Sequence, residues 1–419
     1  MKKKLMRAVS LMVLVGMVTT SIAACGGSVE TEQTAKETTA ESVAGKTAAE
    51  TSSGEVSTEN APASQTASQA GAFDNYQRPR IVEKPKVAFL VRTPDSESNI
   101  RSIQQAEIEA AHRGWELVTV VYEVDTNFRD AFQNVMNQDC DAIIVLSTES
   151  LDAKIDLFVE ARNKGIGVYS NDNQVVDGII SNCTMPNALA AAELFYKIGE
   201  DYGWDLGVCI FKNDVQQICV ERSCPVQAIM EHPGAYPKME LLSVVDVTSS
   251  SLPEKQFAYE TGAAWLQQYG DDVDCFYCIA DIYAMPMAEA IMTNGDATGE
   301  KTFSAGFDGG VMAWSYIRNN TPFKYSYSQA FEYYTHNCFE IINDIQVEGL
   351  NPGDAGCILE RAGQTLYTMG TVTTRENVPE VGAPVHSTFS YYDPSDADAW
   401  YNWTDGPGAL LITDYEEKQ

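Results

Sequence analysis

Short apolar runs alternate along the middle of this chain with longer stretches in which apolar residues return every three or four positions. The first pattern is that of a strand buried on both faces, the second that of an amphipathic helix. K-V-A-F-L-V at 86–91 predicts a strand, 98–113 a helix closed by Gly114, 116–121 a second strand and 128–137 a second helix. A-I-I-V-L at 142–146 predicts a third strand, and 151–164 a helix stopped at Gly165. The next strand, 166–171, runs into Asp172, and a short one follows at 178–181. The alternation then repeats, with helices at 185–202, 219–230, 254–269, 283–293, 312–319 and 331–347. The strands between them are 206–211, 239–247, 273–280, 301–306 and 323–328. Two such series predict an α/β protein of two doubly wound parallel-sheet lobes, with a cleft at the carboxyl ends of the strands. In F-S-A-G-F-D-G-G (303–310), glycines place Asp308 at such a strand end. A carboxylate there can accept hydrogen bonds from ligand hydroxyls or pair with a ligand cation.

The start of the chain adds a destination. Lys2, Lys3, Lys4 and Arg7 precede an apolar run over 8–24 that has the form of a secretory signal. It ends in Ala23-Ala24-Cys25-Gly26, which resembles the lipobox of bacterial lipoproteins. The expectation is a signal peptide at 1–24 and lipid on Cys25, which makes the mature protein anchored to the membrane rather than spanning it. Thr, Ala, Ser and Glu dominate 28–72, too few large apolar residues to form a core, so 25–83 is expected to be a flexible linker.

Charge and cysteines narrow the field. The formal net charge is -31, and loss of the basic leader makes it more negative, which leaves no basic track for nucleic acid. Nine of the ten cysteines remain once Cys25 is set aside, an odd number that forbids complete internal pairing. Cys219 and Cys224 form a plausible local pair. Cys275 and Cys278, at i and i+3 of a strand, face opposite ways and so suit neither metal nor redox chemistry.

Five motifs in order now carry a resemblance: the G-I-G-V run leading to Asp172, A-D-I-Y-A at 280–284, G-F-D-G at 306–309, Ser328-Gln329, and V-T-T-R-E-N-V at 372–378. Over 84–380 the chain resembles type I periplasmic binding proteins of the ribose- and galactose-binding class, the solute receptors of ABC importers. That resemblance implies lobes joined by a three-segment hinge, with crossings near 181–183, 327–329 and 365–370. The N-terminal lobe would be 84–182 plus 330–364, the C-terminal lobe 183–329 plus 365–380, and 381–419 an extension beyond both. It also implies a ligand set of Asp172, Arg222, Asp281, Asp308 and Gln329, with Thr93, Asp95, Asn173 and Tyr283 as additional contacts. The sequence departs from the family at Thr93-Pro94-Asp95-Ser96, where stacking rings are usual, at Asn173, which replaces an arginine, and at Ala280, which replaces an asparagine. Tyr169, Tyr283, Trp314 and Tyr327 are rings that could compensate. The resulting site is more acidic and less aromatic than a ribose site, which suits an amino sugar, a polyol or a small cationic solute.

Catalysis finds no motif. The four histidines, His112, His232, His336 and His386, have no metal-ligand spacing, and neither a nucleophile elbow nor a phosphate loop occurs. Asp172 and Asp308 facing one another could mimic a glycosidase pair, but a binding cleft has the same arrangement. No cofactor or metal is expected. The function expected is capture of a sugar or sugar-like solute by a monomeric lipoprotein that hands it to an ABC permease. The alternatives are a receptor for a membrane sensor kinase or chemoreceptor, and a secreted carbohydrate-active enzyme. The tail, with Tyr391, Tyr392, Trp400, Tyr401 and Trp403 and a strand-like run at 409–412, is expected to lie across one lobe, or else to reach the cleft or a partner.

Overall fold

The computed structural model describes residues 75–413, apart from 93–95, 123–124, 148, 233 and 235. The expected signal peptide, Cys25 and the linker as far as 74 lie outside the described residues, as do Thr93 and Asp95. The linker expected to reach 83 ends earlier, because 75–83 packs against the body. Arg80 pairs with Asp141 at 2.6 Å, its N–H donates to Gly165 O, and the N–H of Val82 donates to Gln346 O.

Two six-stranded sheets organise the rest. The first comprises β1 (Lys86–Arg92), β2 (Glu116–Tyr122), β3 (Ala142–Leu146), β4 (Gly167–Asn171), β5 (Ser181–Thr184) and β11 (Gln364–Tyr367), in the order β11-β5-β4-β3-β1-β2 and parallel throughout. The second comprises β6 (Gly207–Lys212), β7 (Glu240–Asp246), β8 (Cys275–Cys278), β9 (Phe303–Asp308), β10 (Phe323–Ser328) and β12 (Thr371–Thr373), in the order β12-β10-β9-β8-β6-β7. Only β12 runs antiparallel to its neighbour, β10. Every residue of β3 and β8 is buried, as helices on both faces require, whereas the edge strand β2 is exposed or partly buried until its last residue, Tyr122.

The helices are α1 (Glu97–Arg113), α2 (Asp125–Met136), α3 (Ile155–Asn163), α4 (Asn187–Asp201), α5 (Gln217–Glu231), α6 (Glu254–Tyr269), α7 (Asp281–Thr293), α8 (Val311–Arg318) and α9 (Phe331–Ile342). Gly114, at φ 64°, closes α1 in the left-handed conformation that glycine adopts without a Cβ clash. The α9 helix follows β10 of the second sheet yet packs on α1, β4 and β5 of the first.

The chain therefore passes between the sheets three times. Cys183 and Thr184 belong to the first sheet, paired with Leu366 and Tyr367, so the first passage lies just after the expected 181–183, the last falls inside the expected 365–370, and the lobe bounds move from 183 and 365 to after Thr184 and after Tyr367. The reason is that S-N-C-T and Q-T-L-Y are short, polar strands, the first buried and the second only partly so, and neither carries an apolar run of its own. The expected cysteine pair also fails. Cys219 and Cys224 lie on the single helix α5, one buried and the other exposed, and both are free. Among the described cysteines, Cys224 alone is exposed; a thiol reagent should accordingly label the native protein there first, and fast labelling of Cys275 or Cys278 would contradict this packing.

Among the described residues, the tail packs on helices. Val385 and Ile412 are buried against Trp314 of α8, and Pro384 and Leu411 form an antiparallel bridge in place of the expected 409–412 strand. Trp403 stacks on His112 of α1 at 3.6 Å, Trp400 stacks on His336 of α9 at 4.6 Å, and Gln104 Nε2 donates to Gly408 O. Thus 381–413 touches helices of both sheets. Ile412→Ala should cost about 2–4 kcal/mol through the cavity it leaves, read as a lower urea midpoint; a change within error would mean that the tail does not stabilise the folded body.

Candidate functional site

The strand ends nearest the three passages bring together four of the expected residues. Asp172 follows β4 in the left-handed region (φ 53°), where its N–H donates to Cys183 O and its Oδ1 accepts from Thr184 Oγ1 at 2.7 Å. Asp308 ends β9 at φ 117°, and its Oδ1 accepts from Gln329 Nε2 at 2.7 Å. Between the two carboxylates lies the guanidinium of Arg222 from α5. Its Nη1 is 3.3 Å from Asp308 Oδ1 and its Nη2 is 3.9 Å from Asp172 Oδ2. Arg222 is further held by Asn187 Oδ1 (2.8 Å) and Ile279 O (3.1 Å), and it lies over the Phe307 ring at 5.4 Å. One carboxylate belongs to the first sheet and the other to the second, so a single buried arginine links them.

Several polar atoms in this group have no partner. Arg222 Nη2 and Gln329 Oε1 are buried and make no hydrogen bond, and so is the O–H of Tyr334 on α9. Tyr334 is close enough to feel both Asp172 and Arg222; burial first, and then the Asp172 charge, raise its phenol well above the usual range. Buried polar groups normally find partners, so a donor, an acceptor and a hydroxyl left open together imply that something else supplies them.

Burial also sets the charge state. It pushes Asp308 up to about 6, with Asp172 adding to the rise and Arg222 opposing it. Burial raises Asp172 too, against Arg222 and Thr184. The sign for Asp308 follows from its folded value lying above the unfolded 3.8. Its contribution to stability is full below the unfolded value and is lost as pH rises through about 6. Comparison of wild type with Asp308→Asn cancels the other groups: between pH 4 and about 6.5 wild type should lose stability relative to the variant. A flat difference across that window, measured by urea unfolding, would contradict the raised Asp308 carboxylate.

The remaining expected residues stand elsewhere in the arrangement. Asp281, at the first position of α7, spends both oxygens on the protein, accepting from Ser326 Oγ at 2.9 and 2.8 Å and from the Gly309 N–H at 2.8 Å. It anchors the turn that carries Asp308. Asn173 is buried and donates to Ser147 O and to Glu149 O (2.9 Å), so it props a neighbouring loop. Tyr283 is buried and donates to Glu254 at 2.8 Å. Of the other rings, Tyr169 bonds Gln346, Trp314 bonds Ser328 Oγ, and Tyr327 bonds Glu193, so each is held by its own lobe's framework or the passage beside it. Sequence reasoning missed Asn187 and Tyr334. The first opens a helix with no local signal, and the second reads as a core position of α9.

Among the described residues no group of three or more His, Cys, Asp or Glu side chains could hold a metal, and no helix is long and apolar enough to cross a membrane.

Residues 87–339 match the family described as "Periplasmic binding protein domain". Similar solved structures include a periplasmic solute-binding protein of an ABC transporter from Actinobacillus succinogenes with bound D-allose. It is 19% identical, and the match covers 70% of this chain and 98% of that one at a TM-score of 0.60. Another is the binding-protein component of the arabinose ABC transporter from Shewanella, bound to α- and β-L-arabinofuranose, at 16% identity, 70% and 93% coverage and a TM-score of 0.61. A third is an ABC transporter solute-binding protein from Bacillus halodurans with bound myo-inositol, at 14% identity, 71% and 97% coverage and a TM-score of 0.59. At these identities the likeness is one of fold. Among curated proteins no match is found.

Proposed function

Because the chain belongs to the periplasmic binding protein family, we propose that it is the extracytoplasmic solute receptor of an ABC importer and takes a sugar or sugar-like polyol between its two sheets. The observation that carries this reading is the Asp172–Arg222–Asp308 group, shared between the sheets and ringed by unpaired polar atoms. Asp172 and Asp308 accept from ligand hydroxyls, Arg222 donates to ring or hydroxyl oxygens, and Gln329 offers its free carbonyl. Asp281 acts behind them, as an anchor, rather than on the ligand. A ligand that satisfies groups from both lobes stabilises the closed arrangement over the open one, and the permease reads that difference. Lipid on Cys25 tethers the receptor to the outer face of the membrane, and a permease in that membrane is its partner. The family binds solutes and catalyses no reaction, so the paired carboxylates are recognition groups and the enzyme reading is set aside.

The sugars and the polyol bound by the similar structures supply the first panel. D-allose, L-arabinose and myo-inositol are each added to the protein during thermal melting. A ligand present at 100 times its dissociation constant should raise apparent stability by about 2.7 kcal/mol. No shift with any member of a panel widened to amino sugars and linear polyols would contradict the sugar reading. Affinity for a hydroxyl-bearing ligand should also rise from pH 5 to 7, since ionised Asp308 accepts with both oxygens and carries a charge, and its value lies near 6.

A further inference from the structure

The α1 helix packs on β1, β2 and α9 of the first lobe, yet one of its side chains acts on the second. Arg101 is buried to 1% exposure. Its Nη1 donates to Gly309 O at 2.6 Å and its Nη2 to Gln329 O at 2.9 Å. Nη1 also lies 3.5 Å from Asp308 O, and the rest of the fork goes to Glu332, from Nε to Oε1 at 2.6 Å and from Nη2 to Oε2 at 2.7 Å. Gly309 directly follows Asp308, so one guanidinium fixes the main chain beside both Asp308 and Gln329.

The main chain there needs fixing. Asp308 has φ 117°, a region that side-chain-bearing residues rarely adopt and that persists only where the surroundings over-determine it. The peptide that follows is gripped from two directions. The Gly309 N–H donates to Asp281 from within the second lobe, and the Gly309 carbonyl accepts from Arg101 of the first. A Cβ on Gly309 would stand 2.4 Å from Ser328 Cα, so the turn also lies tight against β10. One turn earlier on α1, Glu97 accepts from the N–H groups of Val311 and Met312, at the start of α8. The first lobe therefore holds the 309–312 segment at both ends.

Glu332 pairs with Arg101, and Arg101 acts on the Asp308 carboxylate less than Arg222 does, so the guanidinium chiefly shapes the turn. The faces of Phe331 and Trp314 cover it at 5.2 and 5.8 Å, and His386 and Tyr391 of the tail lie near the ion pair. Water has little access to compete for these bonds.

We propose that Arg101 is a positioning residue for solute binding: contact of the two lobes brings its guanidinium onto Gly309 and Gln329, and this sets Asp308 and Gln329 in their ligand-accepting geometry. Closure and recognition are thereby coupled through α1. The inference rests on the solute-receptor reading above but concerns a residue that does not touch the ligand. A merely structural ion pair would stabilise the fold without this coupling.

The test compares wild type, Arg101→Gln and Arg101→Lys, using L-arabinose, D-allose and myo-inositol as probes. Lysine keeps the charge but cannot span Gly309, Gln329 and both Glu332 oxygens. Arg101→Gln should weaken the best-bound probe about 10- to 100-fold, as expected for losing charge-assisted bonds to a buried site, and shrink the probe-induced melting shift. Arg101→Lys should fall between the two, and it serves alone if the glutamine variant does not fold. A lower melting point without probe, combined with an undiminished probe-induced shift, would overturn the proposal and leave a structural ion pair. If no probe shifts wild type, the sugar reading fails and amide exchange decides the Arg101 question. Exchange over 309–312 should then be at least about tenfold faster in the variants than in wild type, and unchanged exchange overturns the proposal.

Discussion

Asp308→Asn should weaken sugar binding by about 100-fold or more while leaving the unliganded protein as stable as before or slightly more so. The two effects have one cause. The Asp308 carboxylate is raised to about 6 because burial costs it more than Arg222 returns, so neutralising it relieves the empty site. Asparagine keeps the shape and the hydrogen bond with Gln329 but offers one acceptor oxygen in place of two, and no charge. Each bond from a ligand hydroxyl to a carboxylate is worth about 1.5–3 kcal/mol, so loss of one and weakening of the other reaches the stated factor. Equilibrium titration gives the affinity, and urea unfolding without ligand gives the stability. A variant that binds as wild type does would remove Asp308 from the site. One that is strongly destabilised would show that the carboxylate serves the fold rather than the ligand.

Arg222→Met should act in the opposite way on stability. The guanidinium is 3% exposed and is the one cation between Asp172 and Asp308. Removing it leaves the buried Asp172 and the quarter-exposed Asp308 (26%) without their shared counter-charge, a change that costs up to about 3–5 kcal/mol. The cost depends on pH in a direction fixed by the carboxylates. Asp308, at about 6, is largely protonated at pH 5, and burial raises Asp172 as well, so the repulsion between them weakens there. Arg222→Met should therefore be far less destabilised at pH 5 than at pH 7.5, and sugar binding should be lost at both. Equal destabilisation at the two pH values would mean that the arginine contributes packing against Phe307 rather than charge.

The fold was legible wherever burial is written into the strand itself. Runs such as A-I-I-V-L in β3 and the glycine-punctuated approach to Asp308 carry their own signal, because a strand covered on both faces must be apolar throughout. What escaped was structure whose burial is supplied by partners distant in sequence. S-N-C-T of β5 is held between β4 and Q-T-L-Y of β11, and the latter joins it across some 180 residues. Residues 75–83 fall within the expected linker, 25–83, but Arg80 finds Asp141 and the main chain finds Gly165 and Gln346. In the site, strand-end carboxylates could be named from sequence, but not what each would bond. Asp281 differs from Asp308 because Ser326 and Gly309 already occupy its oxygens. Tyr334 is the converse: it sits at a helix position indistinguishable from core, and only its unpaired O–H beside Asp172 and Arg222 sets it apart. Arg101 is a third kind, an ordinary helix arginine in sequence that three-dimensional packing turns inward onto the opposite lobe.

The central claim is that the group formed by Asp172, Arg222, Asp308 and Gln329 binds a sugar between the lobes, and calorimetric titration tests it most directly. Wild type and Asp308→Asn are titrated side by side with the sugar or polyol that gives the largest melting shift. The account predicts one site per chain in wild type, affinity that rises from pH 5 to 7, and loss of about 100-fold or more in the variant. Binding of equal strength in both proteins, or no binding by wild type of any sugar or polyol, would contradict it.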